Sequence, residues 1–241
     1  MISNKPTIIL FDMDGTTVRH INPKLLHLLE TLDDYCYKTG KFFSKLFKRK
    51  HKHVHLVEFR DGKRQKLLVH RAIHKFRRKT VDQIVEPCPG IHSLLDYLQD
   101  HNVRMGIISN GLGKGYGHDV LETFKLDDYY EVKIFREDIK RAKPHPDPII
   151  HAINKMEPDV TENDVIWYIG DRHKDIEAAV AAAGHIPCEI EPFAYNINAA
   201  LAILRHNFGP NNIIMSWADF EEKIRQILGG TAPSKTSRKS A

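Results

Sequence analysis

Short apolar runs alternate along the chain with longer stretches whose apolar residues recur at helical spacing. Residues 7–11 (TIILF), 103–109 (VRMGIIS), 131–135 and 165–169 (VIWYI) read as short buried strands, with further strands at 186–190 and 213–216. Residues 91–100, 114–124, 147–156, 175–183 and 217–228 carry the spacing of helices. Pro144, Pro146 and Pro148 open the third of these, and Gly184 ends the fourth. Strands alternating with helices predict an α/β fold with a doubly wound parallel sheet. One stretch interrupts the alternation. Residues 23–38 have Leu25, Leu26, Leu28, Leu29 and Leu32 on a helical pattern. Residues 54–69 fit either a helix or a hairpin about Asp61-Gly62, and 69–85 fit a helix. Pro87-Cys88-Pro89-Gly90 then breaks the chain, and the regular pattern resumes. Residues 1–18 and 87–228 therefore read as one core, with 19–86 a mainly helical insert and 229–241 a disordered tail.

Charge changes the picture of the insert. The 241 residues sum to +5, yet sixteen Lys and Arg and only two acids, Glu58 and Asp61, lie between residues 38 and 80. The rest of the chain carries a net −9. The densest runs are Lys48-Arg49-Lys50-His51-Lys52 and Arg77-Arg78-Lys79. Such a local field suits a strongly anionic substrate or nucleic acid, and equally a solvated face. No apolar run is long enough to span a membrane, and residues 1–6 lack the apolar stretch of a secretory signal. Cys36, Cys88 and Cys188 are odd in number and far apart, which argues against a disulfide framework or a zinc site. A cytoplasmic setting is the expectation; the oligomeric state is open.

In a doubly wound sheet, ligands bind beyond the carboxyl ends of the strands. Four polar clusters fall at or near such ends. Asp12-Met13-Asp14-Gly15-Thr16 follows the first strand, and side chains two apart on extended chain point the same way. One carboxylate there could attack phosphorus while the other protonates the leaving oxygen. Ser109-Asn110-Gly111 offers a hydroxyl and backbone N–H groups for phosphoryl oxygens, although Ser and Asn also favour turns. Lys143-Pro144 places a positive charge near a helix start. Gly170-Asp171-Arg172-His173-Lys174-Asp175 would set Asp171 and Asp175 four apart on one helix face, oxygen ligands suited to Mg²⁺, or would simply put an acid at a helix N-terminus.

Taken together and in this order, the clusters resemble the four motifs of the haloacid dehalogenase superfamily, in the phosphoglycolate phosphatase-like branch with a C1-type cap inserted after the first motif. Asp12-x-Asp14-Gly15-Thr16 matches motif I, Ser109-Asn110 motif II, Lys143-Pro144 motif III, and Gly170-Asp171-x-x-x-Asp175 motif IV. The resemblance covers about residues 7–190. It implies a Rossmann-like core, Mg²⁺ as cofactor and hydrolysis of a small phosphorylated metabolite. Asp12 would be the nucleophile that forms an aspartyl-phosphate, and Asp14 the acid and then the base. Ser109, Asn110 and Lys143 would bind the substrate, with Ser109 and Lys143 acting in catalysis. Asp12, Asp14, Asp171 and Asp175 would hold the metal, Asp14 through its backbone carbonyl.

Asp14 separates the family's chemistries, because dehalogenases and phosphonate-cleaving relatives lack an acid there. Thr16-Thr17-Val18 is similar to the phosphonate-cleaving relatives, and Thr17, Arg19 and His20 depart from the usual phosphatase pattern. Two other readings remain open at the level of sequence: a phosphomutase, and a protein binding nucleic acid or another anionic partner through the basic insert.

Overall fold

The computed structural model describes residues 5–21, 80–156 and 160–229. In chain order the elements are β1 (Ile8–Asp12), β2 (Val18–His20), β3 (Val85–Pro87), α1 (Ile91–Asp100), β4 (Arg104–Ile108), α2 (Lys114–Thr123), β5 (Val132–Ile134), α3 (Asp147–Met156), β6 (Val165–Gly170), α4 (His173–Ala182), β7 (Glu189–Tyr195), α5 (Ile197–Arg205), β8 (Ile213–Ile214) and α6 (Trp217–Leu228). Six strands form one sheet in the order β5-β4-β1-β6-β7-β8, and every neighbouring pair is parallel. The chain steps outward from β1 to β4 and β5, then crosses to β6 on the other side and continues to β7 and β8. The direction of winding thus reverses beside β1, where the loops at the carboxyl ends part and leave a crevice.

Both faces of the sheet are covered, which is why its strands read as nearly continuous apolar runs. One face presents Ile9, Phe11, Trp167, Ile169 and Phe193 to Leu94 and Leu98 of α1, Val120 and Leu121 of α2, and Phe220 and Ile224 of α6. The other presents Ile8, Leu10, Ile108, Ile166 and Tyr168 to Ile149, Ala152 and Ile153 of α3 and to Ala178, Ala179 and Ala182 of α4. Trp217, fully buried at the start of α6, stacks on Tyr195 with ring centroids 4.4 Å apart, and its Nε1 donates to the Thr16 carbonyl at 3.2 Å. The last helix therefore braces the loop that follows β1. Among the described residues no helix is long and apolar enough to cross a membrane.

β2 and β3 form a separate antiparallel ribbon, with Val18 opposite Pro87, Arg19 opposite Glu86 and His20 opposite Val85. An Arg19–Glu86 ion pair at 2.8 Å and the Ile21 N–H to Ile84 carbonyl bond at 3.0 Å tie its strands together. The chain consequently leaves and re-enters at one place, next to the loop after β1. The helix at 23–38, the helix or hairpin at 54–69, the basic runs and the tail beyond Gly229 lie outside the described residues.

Three expectations are corrected and one element is added. The helix drawn through 69–85 does not reach its end: Val81–Gln83 is one 3₁₀ turn and Val85 is already in β3, since pairing with β2 captures this Val- and Ile-rich segment. The strand drawn at 186–190 is β7, displaced to Glu189–Tyr195 and running through Pro192. Proline is tolerated there because β8 meets β7 only at Ala194 and Tyr195, so Pro192 sits where β7 is still an edge. Helix α5 was not foreseen; it buries mainly small residues, Ala199, Ala200 and Ala202 with Ile203, while Ile197, Leu201 and Leu204 stand exposed. Finally, α4 begins at His173, so Asp171 precedes the helix instead of sharing a face of it with Asp175.

Candidate active site

Alternation along β1 puts Ile8, Leu10 and Asp12 on the same face of the sheet. The first two pack into the core, and Asp12, at the carboxyl end, is the first to clear it. The chain then closes tightly. The Met13 carbonyl accepts from the N–H groups of Thr17 and Val18 at 3.1 and 3.0 Å, and the Gly15 N–H donates to the Val18 carbonyl at 2.7 Å. Gly15 has φ +90°, and a Cβ there would lie 2.2 Å from Asp171 Oδ2, so the backbone of this loop must pass directly against that carboxylate. The Thr17 hydroxyl donates to the Asp12 carbonyl at 2.9 Å and fixes the turn.

The other three segments arrive at the same mouth. Ser109, buried just beyond β4, donates from its hydroxyl to Asp14 Oδ2 at 3.1 Å and accepts the Leu112 N–H at 3.0 Å. Lys143, 2% exposed in the loop before α3, reaches between β1 and β6. Its ammonium binds Asp12 Oδ1, Asp175 Oδ1 at 2.7 Å and the Tyr168 hydroxyl at 2.8 Å. The Asn110 carboxamide is committed on both sides to the Lys143 backbone: its Nδ2 donates to the Lys143 carbonyl and its Oδ1 accepts the Lys143 N–H, each at 3.2 Å. Asp175 Oδ2 accepts the Arg172 N–H at 3.1 Å, at the start of α4. Gly170 makes room for it, since a Cβ there would fall 2.3 Å from Asp175 Cβ.

Three carboxylates, those of Asp12, Asp171 and Asp175, thus bring oxygen atoms within 4.8 Å of one another, and two of them, Asp12 and Asp175, pair with the buried Lys143 ammonium. Burial, with Asp175 and Asp171 adding to it, pushes the Asp12 pKa well above that of an ordinary aspartate, and Lys143 offsets this only in part. Burial, reinforced by Asp175, raises Asp171 to about 7. Burial opposes the Lys143 charge, but Asp12 and Asp175 outweigh it and hold its pKa well above the usual lysine value. These directions share one cause, an excess of buried negative charge. Asp171 Oδ1 is buried and accepts no hydrogen bond among the described residues, with the Arg172 guanidinium 3.8 Å away. An all-oxygen donor set with surplus negative charge and an unpartnered oxygen fits a hard divalent cation such as Mg²⁺.

A consequence follows for stability. Folded, Asp171 keeps its proton up to about pH 7, against a usual value of 3.8. The stability it contributes is therefore present below about pH 4 and is lost as the pH climbs to about 7. A cation at the cluster would take the proton's place. Thermal scans should show Mg²⁺ raising Tm more at about pH 8 than at about pH 5; equal shifts at both would contradict this assignment.

The sequence profile of the haloacid dehalogenase-like hydrolases matches residues 9–185, a span that holds all four clusters. The chain belongs to this family. Among its curated relatives, the phosphoglycolate phosphatase of Nitrosospira multiformis is 29% identical over 204 residues, covering 78% of this chain and 84% of that one. The pyrophosphatase PpaX of Bacillus thuringiensis is 24% identical over 175 residues, covering 71% and 77%. A phosphonoacetaldehyde hydrolase-like protein from Oleispira antarctica shares the fold with a TM-score of 0.62 at 15% identity, covering 94% of each chain. As a haloacid dehalogenase-like hydrolase, the chain brings Asp12, Asp14, Ser109, Lys143, Asp171 and Asp175 to one place, with Asn110 attached through the Lys143 backbone. The sequence reading missed Tyr168. It stands inside an apolar strand, and its one signal was a hydroxyl that a buried tyrosine must satisfy.

Proposed function

We propose that this chain is a magnesium-dependent phosphomonoesterase that acts on a small phosphorylated metabolite through an aspartyl-phosphate at Asp12. The observation that carries the reading is the meeting of Asp12, Lys143 and Asp171 at the crevice beside β1, with Asp14 and Ser109 bonded to each other at its rim.

The Asp12 carboxylate attacks phosphorus, forming an acyl-phosphate bond as the bond to the leaving oxygen breaks. Asp14 gives that oxygen a proton. In the second half, Asp14 takes a proton from water as the water attacks phosphorus, which frees phosphate and restores Asp12. Lys143 holds Asp12 in place and, with the Ser109 hydroxyl, offsets charge on the phosphoryl oxygens. Asn110 acts one step back, by fixing the Lys143 backbone. Asp171, with its unpartnered oxygen, and Asp12 would hold Mg²⁺, together with the Asp14 carbonyl. Asp175, whose oxygens also meet Lys143, Tyr168 and the Arg172 N–H, would support the ion directly or through water and orients the cluster. When bound, Mg²⁺ supplies the positive charge that lets an anionic carboxylate approach an anionic phosphoryl group.

Asp14 favours a phosphate ester over a carbon–halogen or carbon–phosphorus bond: an alkoxide leaving group takes a proton from a nearby acid, a halide needs none, and a carbon–phosphorus bond needs an electron sink on the carbon fragment. The named activities of the two curated relatives, on phosphoglycolate and on pyrophosphate, favour a compact anionic substrate. A panel of phosphomonoesters and pyrophosphate, assayed for free phosphate with Mg²⁺ and with a chelator, tests the reading. Release that requires Mg²⁺ is expected. Isomerisation of a sugar phosphate without release would indicate a mutase, and no turnover of any compound would remove the phosphatase reading.

A further inference from the structure

Tyr168 is fully buried in β6, on the face lined by Ile8, Leu10 and Ile108. Its Cα is in register with Leu10, two residues before Asp12 on the same face, so its ring starts one layer below the nucleophile and rises toward it. A phenol in such a core needs a partner, and this one has two, both charged. It accepts from Lys143 Nζ at 2.8 Å and donates to Asp175 Oδ1 at 3.2 Å. Gly170, two residues on along the same face, leaves the space above the ring that the Asp175 side chain fills.

A lysine ammonium has three protons to donate. Here its close acceptors are Asp12 Oδ1, Asp175 Oδ1 and the Tyr168 oxygen, with the Ile108 carbonyl a distant fourth at 3.5 Å. Without the phenol the third N–H would have only the Ile108 carbonyl, at a marginal 3.5 Å, and the head group would be held less firmly in rotation. The phenol closes the set and fixes the ammonium in rotation. Because it also bonds Asp175, it locks two of the three groups together.

We propose that Tyr168 is a positioning residue of the active site: its hydroxyl sets the orientation of the Lys143 ammonium, and through it the aim of the Asp12 carboxylate. The kinetic part of this inference rests on the phosphatase reading. The structural part does not.

The test compares the full-length wild type with Tyr168→Phe, which keeps the ring and removes only the hydroxyl. The first readout is independent of turnover. In protein with ¹⁵N-labelled lysine and Mg²⁺ present, a slowly exchanging Lys143 ammonium resonance, assigned by its absence in Lys143→Arg, is expected in the wild type and lost from Tyr168→Phe. The same resonance at the same intensity in both proteins would overturn the inference. The second readout is steady-state hydrolysis of p-nitrophenyl phosphate with Mg²⁺. Loss of a hydrogen bond to a charged group should lower kcat about tenfold or more, with KM changed less than about twofold, and Tm should fall by several degrees because two buried charged groups lose a partner. An unchanged kcat would also overturn it. A wild type that hydrolyses nothing while the resonance still depends on Tyr168 would instead count against the phosphatase reading and leave the positioning role supported.

Discussion

Asp12→Asn should abolish phosphate release, with kcat down by roughly 10⁴-fold or more, while the protein stays folded. The amide is nearly the same size as the carboxylate, and its oxygen still accepts a hydrogen bond from Lys143. It cannot form the acyl-phosphate. The substitution also removes one of three crowded carboxylates, whose mutual repulsion contributes to the raised Asp12 pKa. The metal-free variant should therefore melt at the same temperature as the wild type or above it. Phosphate assays and thermal melts on one preparation check both halves. Activity within about tenfold of the wild type would exclude Asp12 as the nucleophile.

Lys143→Met has the opposite effect on stability. Lys143 and Asp175 are both about 2% exposed and Asp12 is 6% exposed, so deleting the ammonium leaves two buried carboxylates facing each other without a counter-charge. Breaking a buried ion pair from one side costs about 3–5 kcal/mol. Urea denaturation of the metal-free variant near neutral pH should show a loss of that order. Because the folded-state pKa of Asp12 is raised, the loss should shrink as the pH falls and the site takes up a proton. Turnover should fall by roughly 10³-fold, since a preorganised charge at the transferring group is gone. A stability change below about 1 kcal/mol would show that Lys143 is not the electrostatic centre of the site.

Some of this was legible in the sequence, and the reason is physical. Helices such as Ile91–Asp100 and Trp217–Leu228 carry strong one-sided patterns, and β1 and β6 are apolar throughout because both faces of the sheet are covered. Three of the polar clusters stood out because each interrupts an apolar run at the point where a strand leaves the core; Lys143-Pro144, in the loop before α3, did not. Contacts between segments left no such mark. Nothing near Asn110 in sequence announces that its carboxamide will bind the backbone 33 residues away. Tyr168 looked like one more core residue because its partners, Lys143 and Asp175, come from a distant loop and from the first turn of α4. Asp175 shows that two explanations can hold together: it accepts the Arg172 N–H at the start of α4 and also anchors Lys143.

The acyl-phosphate at Asp12 is the central step of the proposed phosphatase mechanism, and borohydride reduction during turnover tests it most directly, because it converts an aspartyl-phosphate to homoserine. Peptide mass spectrometry of protein quenched with Mg²⁺ and substrate present should find homoserine at residue 12, and none without substrate or in Asp12→Asn. Phosphate release with residue 12 unreduced, or reduction at another carboxylate, would contradict the account.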